Sequence, residues 1–383
     1  MSNGHLICAI IPIAAITPIA AVTATVAIVL AVIALFAIAW RMIRPRYLLA
    51  TPADEIHFAA TLDGWDLALY RYRPQSLVAG REPIVLCHGM LSNRFNVDLD
   101  EEVSLARFLR QRGFDAWVME LRGHGGSRRS KERATSTPGS GVRGRFDWNI
   151  DDYIQRDLAA VIDHVRRATG ADQVHWFGHS MGGMILYGAC ALPGTTRSIR
   201  SAVLTDAPAS FATLRARVPL GRAYARLFPA VPPALVIPIL GPLVWLLPDL
   251  MGPRYGIRDR KLMVSLLANA IIPWGSSRAL LQFCDMLESG RFRSDGGGVD
   301  YEQGASRMDF PLLVLSSARK MLDERSILFG YEKSIAADKR YVRLSRAEGY
   351  STDYTHSNLL LSASSPREVF PLIAQWYEDH SSA

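Results

Sequence analysis

The chain has 383 residues, of which 49% are hydrophobic and 21% charged, with a formal net charge of +7. This composition is typical of a globular protein with a large core, and it excludes an intrinsically disordered chain. The positive charge comes mainly from arginines spread along the chain, without a basic run interleaved with aromatic residues, so we expect no nucleic-acid partner.

The N-terminus contains a long uncharged segment. Residues 6–40 carry no charge, and the part without proline, residues 19–40, is long enough to cross a bilayer as a helix. A cleaved signal peptide is the alternative, but no basic residue precedes the apolar run, which is too long for a signal core. We therefore predict a retained membrane anchor over residues 1–46. The positive-inside rule predicts that everything after it is cytoplasmic, because basic residues follow directly, at Arg41, Arg44 and Arg46.

Residues 47–206 alternate between strand-like and helix-like patterns. Residues 55–74 predict two strands around an Asp-Gly turn. Helical spacing is present at 101–113 and 151–170, and both segments end at a glycine. Short apolar strands are predicted in "PIVLC", "FDAWVM", "VHWF" and "IRSAVLT". This alternation predicts an α/β protein with a mostly parallel sheet and helices on both faces.

The alternation stops after Asp206 and resumes about a hundred residues later. Residues 207–310 are too long for an ordinary loop, and their stretch 228–248 is uncharged and contains six prolines. So many prolines are unfavourable in a continuous transmembrane helix, so we predict a helical cap over the sheet. Residues 311–383 return to the core pattern with the strand "PLLVLSS", a further strand "RYVRLS" and a final helix.

Ser180 lies in a motif typical of a nucleophile. The apolar strand "VHWF" runs directly into Gly178-His179-Ser180-Met181-Gly182, and a helix-like segment starts at once. Such a tight turn holds a serine hydroxyl clear of the backbone at a helix N-terminus, where the helix dipole favours developing negative charge. The flanking glycines would let strand and helix approach closely. We therefore expect a nucleophile elbow.

Together, four motifs resemble the α/β-hydrolase superfamily, specifically its lipase, esterase and serine-aminopeptidase-like branch. They are "HGM" after the third strand, "ELRGHGGS" after the fourth, "GHSMGG" after the fifth and "YTHSNLLL" near the end. The resemblance covers about residues 55–383, interrupted by the cap. It implies the α/β-hydrolase fold and acyl transfer through a serine nucleophile.

The resemblance also implies the roles of several residues. Backbone N–H groups of Met90 and Met181 would form the oxyanion hole. The base would be His356, because it alone among nine histidines lies between the last predicted strand and the final helix.

The acidic residue of the expected Ser-His-acid triad departs from the family pattern in this sequence. The family usually has an aspartate where this chain has Lys320, and a lysine cannot accept the imidazole N–H. Two replacements keep the order Ser, Asp, His. We favour Asp206, which ends a strand, over Asp323, and Asp353 is a more remote alternative.

We expect no metal and no cofactor. The cysteines lack metal-ligand spacing, and His175 and His179 are four residues apart on a strand and turn instead of one helix face. Three functions remain open. The favoured one is a membrane-anchored serine hydrolase that cleaves esters with an apolar or lipid-like acyl group. An acyltransferase would use the same serine. A non-catalytic binding protein on a hydrolase scaffold would explain Lys320.

Overall fold

The computed structural model describes residues 13–76, 78–130, 146–247, 260–272, 274–318 and 322–382. These residues form a nine-stranded sheet and a separate two-stranded one. In chain order the strands are β1 Glu55–Ala60, β2 Trp65–Tyr72, β3 Ile84–Cys87, β4 Ala116–Met119, β5 Arg128–Arg129, β6 Val174–His179, β7 Ile199–Thr205, β8 Ala230–Val231, β9 Gly275–Ser276, β10 Leu312–Ser317 and β11 Lys339–Leu344.

The large sheet is mostly parallel. Its order is β1-β2-β4-β3-β6-β7-β10-β11, and β5 pairs with β2. The parallel strands are, in sheet order, β4, β3, β6, β7, β10 and β11. Strands β1, β2 and β5 pair antiparallel at one side. The predicted α/β class and parallel sheet are confirmed. Because β3, β6, β7 and β10 are neighbours, the loops that follow them meet at one edge of the sheet.

Helices connect the strands. Their bounds are α1 Ile13–Ile43, α2 Leu105–Gln111, α3 Leu158–Thr169, α4 Met181–Cys190, α5 Pro219–Leu227, α6 Pro233–Leu246, α7 Arg260–Asn269, α8 Ser277–Ser289, α9 Glu324–Lys333, α10 Asn358–Leu361, α11 Ser365–Glu368 and α12 Phe370–Asp379. A turn of α-helix at Ile150–Asp152 and a π-helical turn at Tyr153–Asp157 lead into α3. Short 3-10 turns lie at Arg44–Tyr47, Arg94–Asn96, Asp295–Gly297, Tyr301–Arg307 and Arg346–Glu348.

The sheet is covered on both faces, as the alternation predicts. Side chains alternate along the strands between two hydrophobic clusters. In β6, for example, Trp176 belongs to the cluster that packs against α3 and α4, whereas Phe177 faces the cluster containing α2 and α12. This period of two residues places helices on opposite faces and leaves the sheet edge to carry polar groups.

Helix α1 is long, apolar and largely exposed. It has 31 residues, and side chains such as Val22, Leu30 and Ile38 remain exposed along it. Among the described residues it is the helix that is long and apolar enough to cross a membrane. By length and composition such a helix is either an anchor or a signal sequence.

The predicted cap range, residues 207–310, contains helices α5 to α8. Within it, α6 is 14 residues long, too short to span a bilayer, and includes Pro238 and Pro242. Helix α6 packs against the end of α1, where Trp40 is buried against Gly241. The last part of the range packs into the main core through Phe292, Tyr301, Ala305 and Met308. The division of the chain into four domains stays a prediction.

Candidate active site

Ser180 occupies a tight turn between β6 and α4. Its backbone has φ 53° and ψ −115°, and its N–H donates to the carbonyl of Thr205 on the neighbouring strand, at 2.9 Å. A side chain at Gly178 would place a Cβ 2.6 Å from the backbone of Gly182. A Cβ at Gly182 would lie 2.5 Å from the carbonyl oxygen of Cys87. The glycines therefore allow strand and helix to pack closely, which is the predicted elbow geometry.

Backbone strain is concentrated at the same sheet edge. Among the described residues other than glycine, positive φ occurs at Leu91, Ser180 and Asp206. They follow β3, β6 and β7, which are adjacent strands. Non-glycine residues in this region cost free energy and tend to occur at functional sites.

His356 and Asp206 are hydrogen-bonded to each other. The Nδ1–H of His356 donates to Oδ2 of Asp206 at 3.2 Å, and the backbone N–H of Ser317 donates to Oδ1 at 2.7 Å. His356 is 9% exposed and Asp206 1%. Burial acts to raise the pKa of Asp206, but the hydrogen bonds from His356 and Ser317 outweigh it, and the net direction is down. Asp206 is therefore ionised at neutral pH.

The ring of His356 also contacts the residue before Ser180. The ring centroids of His356 and His179 are 4.7 Å apart. His179 Nδ1 is hydrogen-bonded to Thr205 Oγ1 at 2.9 Å, and burial lowers the pKa of His179 to about 3. His179 is thus neutral and fixed. It contacts the side of the His356 ring at the elbow, and so two residues 177 positions apart in sequence meet there.

The loop after β3 also approaches Ser180. A Cβ at Gly89 would lie 3.2 Å from the Cβ of Ser180, and the N–H of Gly89 donates to Oδ1 of Asn96 at 3.1 Å. Met90 is the next residue of this loop. Met181 is the first residue of α4, where backbone N–H groups have no intrahelical acceptor. Met181 directly follows Ser180, and Met90 directly follows the glycine that approaches Ser180; their role in the oxyanion hole stays a prediction.

His88 supports this loop as a neutral side chain. Its Nδ1–H donates to the carbonyl of Gly89 at 2.8 Å, and its Nε2 accepts the N–H of Leu121 at 3.3 Å. Burial lowers the pKa of His88 to about 3, with a further contribution from His124. Because both ring nitrogens are engaged, protonation of His88 would break the bond to Leu121.

The other acids considered from the sequence lie elsewhere in the hydrogen-bond network. Asp323 is the N-cap of α9, and its carboxylate accepts the N–H of Arg325 at 2.9 Å. Asp353 accepts the N–H of Arg346 at 3.0 Å. Lys320 lies outside the described residues. Of the three aspartates, Asp206 is the one that the structure places against His356.

Two supporting residues have no signal in the sequence pattern. Ser317 acts through its backbone N–H and Asn96 through its side-chain amide, and neither belongs to a catalytic motif. His179, which contacts His356 through its ring face, lies inside the motif around Ser180. The described residues contain no group of His, Cys, Asp and Glu side chains that would hold a metal ion.

Comparison with known proteins agrees with this architecture. The family model for the alpha/beta hydrolase fold matches residues 82–234, which include β3, β6 and the elbow. The chain has the α/β-hydrolase fold. A soluble variant of monoglyceride lipase from Saccharomyces cerevisiae, in complex with a substrate analogue, has a similar structure. The TM-score is 0.59 at 15% identity, over 88% of this chain and 99% of that one.

Curated proteins similar to this chain include named lipases. The chain is 33% identical to Lipase 1 of Drosophila melanogaster over 36% of its length and 30% of the relative's. It is 32% identical to Triacylglycerol lipase 2 of Arabidopsis thaliana, over 39% of this chain and 36% of the relative. The matched part thus spans about a third of these curated relatives.

Proposed function

We propose that this α/β-hydrolase is a serine hydrolase that cleaves carboxylic esters. The observation that carries the proposal is the hydrogen bond of His356 to the buried carboxylate of Asp206, beside the strained elbow residue Ser180. A serine needs a neighbouring base and an oriented acid to become a nucleophile, and these side chains supply both. The names of the lipase relatives point to the same reaction class.

The proposed reaction proceeds through an acyl-enzyme. Ser180 Oγ attacks the ester carbonyl carbon while His356 Nε2 takes its proton. The N–H groups of Met90 and Met181 stabilise the oxyanion. The imidazolium then protonates the leaving alkoxide, and the C–O bond of the ester breaks. Water, deprotonated by His356, attacks the acyl carbon. The imidazolium then returns the proton to Ser180 Oγ as the bond between the acyl carbon and Oγ breaks, and the carboxylic acid is released. Asp206 stays ionised throughout and stabilises the imidazolium.

Labelling with a serine-reactive fluorophosphonate tests the proposal. We expect wild type to label and the variants Ser180→Ala and His356→Ala to lose labelling. Asp323→Asn is the matched control for Asp206→Asn, since its carboxylate caps α9 instead of contacting His356. If folded wild-type protein neither labels nor hydrolyses any ester, the scaffold function replaces this proposal. Products formed with added alcohols separate a hydrolase from an acyltransferase.

We further propose that the acyl group is apolar and reaches the site from a membrane. Two observations support this. Helix α1 is long and exposed enough to span a bilayer, and the adjacent helix α6 exposes Leu235, Val236 and Leu246. An uncharged helix beside an anchor is suited to contact acyl chains. Preference for long-chain over short-chain p-nitrophenyl esters would support the substrate class, and the reverse preference would exclude it.

The same anchor sets the proposed orientation. Arg41, Arg44 and Arg46 follow the apolar segment, so the catalytic domain is expected on the cytoplasmic side. Protease protection in right-side-out vesicles and digestion in inverted vesicles test this. Digestion of the catalytic domain in right-side-out vesicles would reverse the orientation.

A further inference from the structure

The loop that carries Met90 is held from outside by the cap. Three hydrogen bonds join it to the last residue of α7 and to the residues that follow this helix. Asn93 Nδ2 donates to the carbonyl of Asn269 at 2.6 Å, and Ser92 Oγ donates to that of Ala270 at 2.9 Å. The N–H of Ile272 donates to the carbonyl of Leu91 at 3.0 Å. The three residues that follow Met90 are thus fixed in part by the cap.

The same cap segment also holds the exit of helix α1. The side-chain Nδ2 of Asn269 donates to the carbonyl of Tyr47 at 2.7 Å, and Oδ1 accepts the N–H of Leu49 at 3.1 Å. The guanidinium of Arg44 donates to the carbonyl of Ala268 at 3.4 Å. Asn269 is 8% exposed, so these bonds are shielded from water.

Asn269 therefore contacts both partners at once. Its side chain binds the chain leaving α1, whereas its backbone carbonyl binds Asn93 in the loop. The same Nδ2 group also donates to the carbonyl of Ser265 within α7, at 2.8 Å. Every polar atom of the side chain is engaged, which leaves the residue little freedom to move independently of either partner.

We propose that Asn269 is a positioning residue that couples the position of helix α1 to the position of the loop carrying the oxyanion donor Met90. This inference rests on the proposed function for its catalytic consequence. Loss of the coupling would let the Met90 N–H drift from the developing oxyanion, which lowers kcat, while binding of a small ester is little changed. Helix α1 would then be part of the catalytic structure as well as a tether.

Kinetics of the full-length protein in detergent on a short-chain, water-soluble ester provide the test. For Asn269→Ala we expect kcat to fall roughly fivefold to tenfold with KM changed less than about twofold, since outright loss of an oxyanion donor costs about 10² to 10³ in kcat. The matched control is Asn149→Ala, which removes another buried asparagine, 7% exposed, whose amide caps a helix away from the loop. It should leave kcat unchanged.

A second variant changes the contact between α1 and α6 and leaves Asn269 in place. A Cβ at Gly241 would lie 2.2 Å from the ring of Trp40, so Gly241→Ala must displace α1 from α6. Gly221→Ala is its control, because the nearest atom, Cys284 Sγ, would be 3.5 Å away. We expect Gly241→Ala to lower kcat in the wild-type background and to have no further effect in Asn269→Ala.

Hydrogen exchange of the loop 89–96 separates this inference from the proposed function. Faster exchange in Asn269→Ala than in Asn149→Ala supports the coupling even if no ester is hydrolysed. The inference is overturned if loop exchange and kcat in Asn269→Ala match the Asn149→Ala control. It is also overturned if the effects of Gly241→Ala and Asn269→Ala on kcat multiply independently.

Discussion

The carboxyl edge of the sheet and the outer face of α6 are built in opposite ways. At the sheet edge, Ser180, Asp206 and His356 have fixed partners and strained or buried positions. On α6, Leu235 and Val236 are exposed by 62% and 50%. The proposed role of the first region requires precise geometry, whereas the proposed role of the second requires only that its side chains are apolar. Substitutions should therefore have large, site-specific effects at the sheet edge and small, cumulative effects on α6.

The largest effect is expected from Asp206→Asn. Asparagine fits positive φ, so the fold should persist, but the amide cannot stabilise imidazolium. We expect kcat to fall by about 10³ to 10⁴, and Asp323→Asn to lower it less than about twofold. Steady-state ester hydrolysis measures both. Equal losses in the two variants would remove Asp206 from its proposed role.

Low pH should destabilise the folded protein, because several histidines of the sheet region are buried in their neutral form. Burial lowers the pKa of His88, His175 and His179 to about 3, from an unfolded value near 6.5. The unfolded chain therefore binds protons below about pH 6.5 that the folded protein does not. Each histidine therefore lowers the free energy of unfolding by an amount approaching about 1.4 kcal/mol per pH unit as pH falls from 6.5 towards 3.

Thermal melting between pH 8 and 5 checks this dependence. His175→Gln, remote from Ser180, should reduce the acid slope, since His175 bonds Ser201 and lies at the far end of β6. A melting temperature that stays constant down to pH 5 would contradict it.

A smaller loss is expected from Gly182→Ala. The new Cβ would lie 2.5 Å from the backbone oxygen of Cys87, which neither β3 nor α4 can easily move. We expect a loss of about 1–3 kcal/mol in the free energy of unfolding. Gly221→Ala should be neutral or stabilising, because alanine favours helix. Urea denaturation compares the two, and equal stabilities would mean that the elbow packs loosely.

The smallest effect belongs to the outer face of α6. Leu235→Gln with Val236→Gln keeps helix-forming residues and should change stability by less than about 0.5 kcal/mol. If this face contacts lipid, KM for long-chain esters in vesicles should rise roughly threefold to tenfold. KM for short soluble esters should stay constant. A rise for both substrates would place the effect in the active site instead.

The sequence predicts the parts of this molecule that depend on local backbone chemistry. The elbow at Ser180 was predictable because strand, tight turn and helix need glycine at particular positions within a few residues. The parallel sheet followed from alternation, and the structure confirms it. Asp206 was favoured over Asp323 only for its position at a strand end, because both aspartates satisfy the chain order. Only the fold decides which one lies against His356.

Long-range contacts made by residues outside the catalytic motifs were beyond prediction. Asn269 joins Tyr47 to Asn93, yet a lone asparagine at the end of a helix matches no motif. The role of the Ser317 N–H was hidden for a similar reason, since any residue type can supply a backbone donor. These interactions require knowledge of which strand ends are neighbours, and that is a property of the whole sheet.

The backbone of Ser180 has a consequence for how this chain could change over time. Its φ of 53° is a conformation that glycine adopts readily and that costs another residue about 1–3 kcal/mol. Ser180→Gly should therefore raise thermal stability while removing the hydroxyl. A lineage that no longer needed the hydroxyl would gain stability through a single substitution at this position. Folding alone thus favours glycine at position 180, whereas the chain has a serine there.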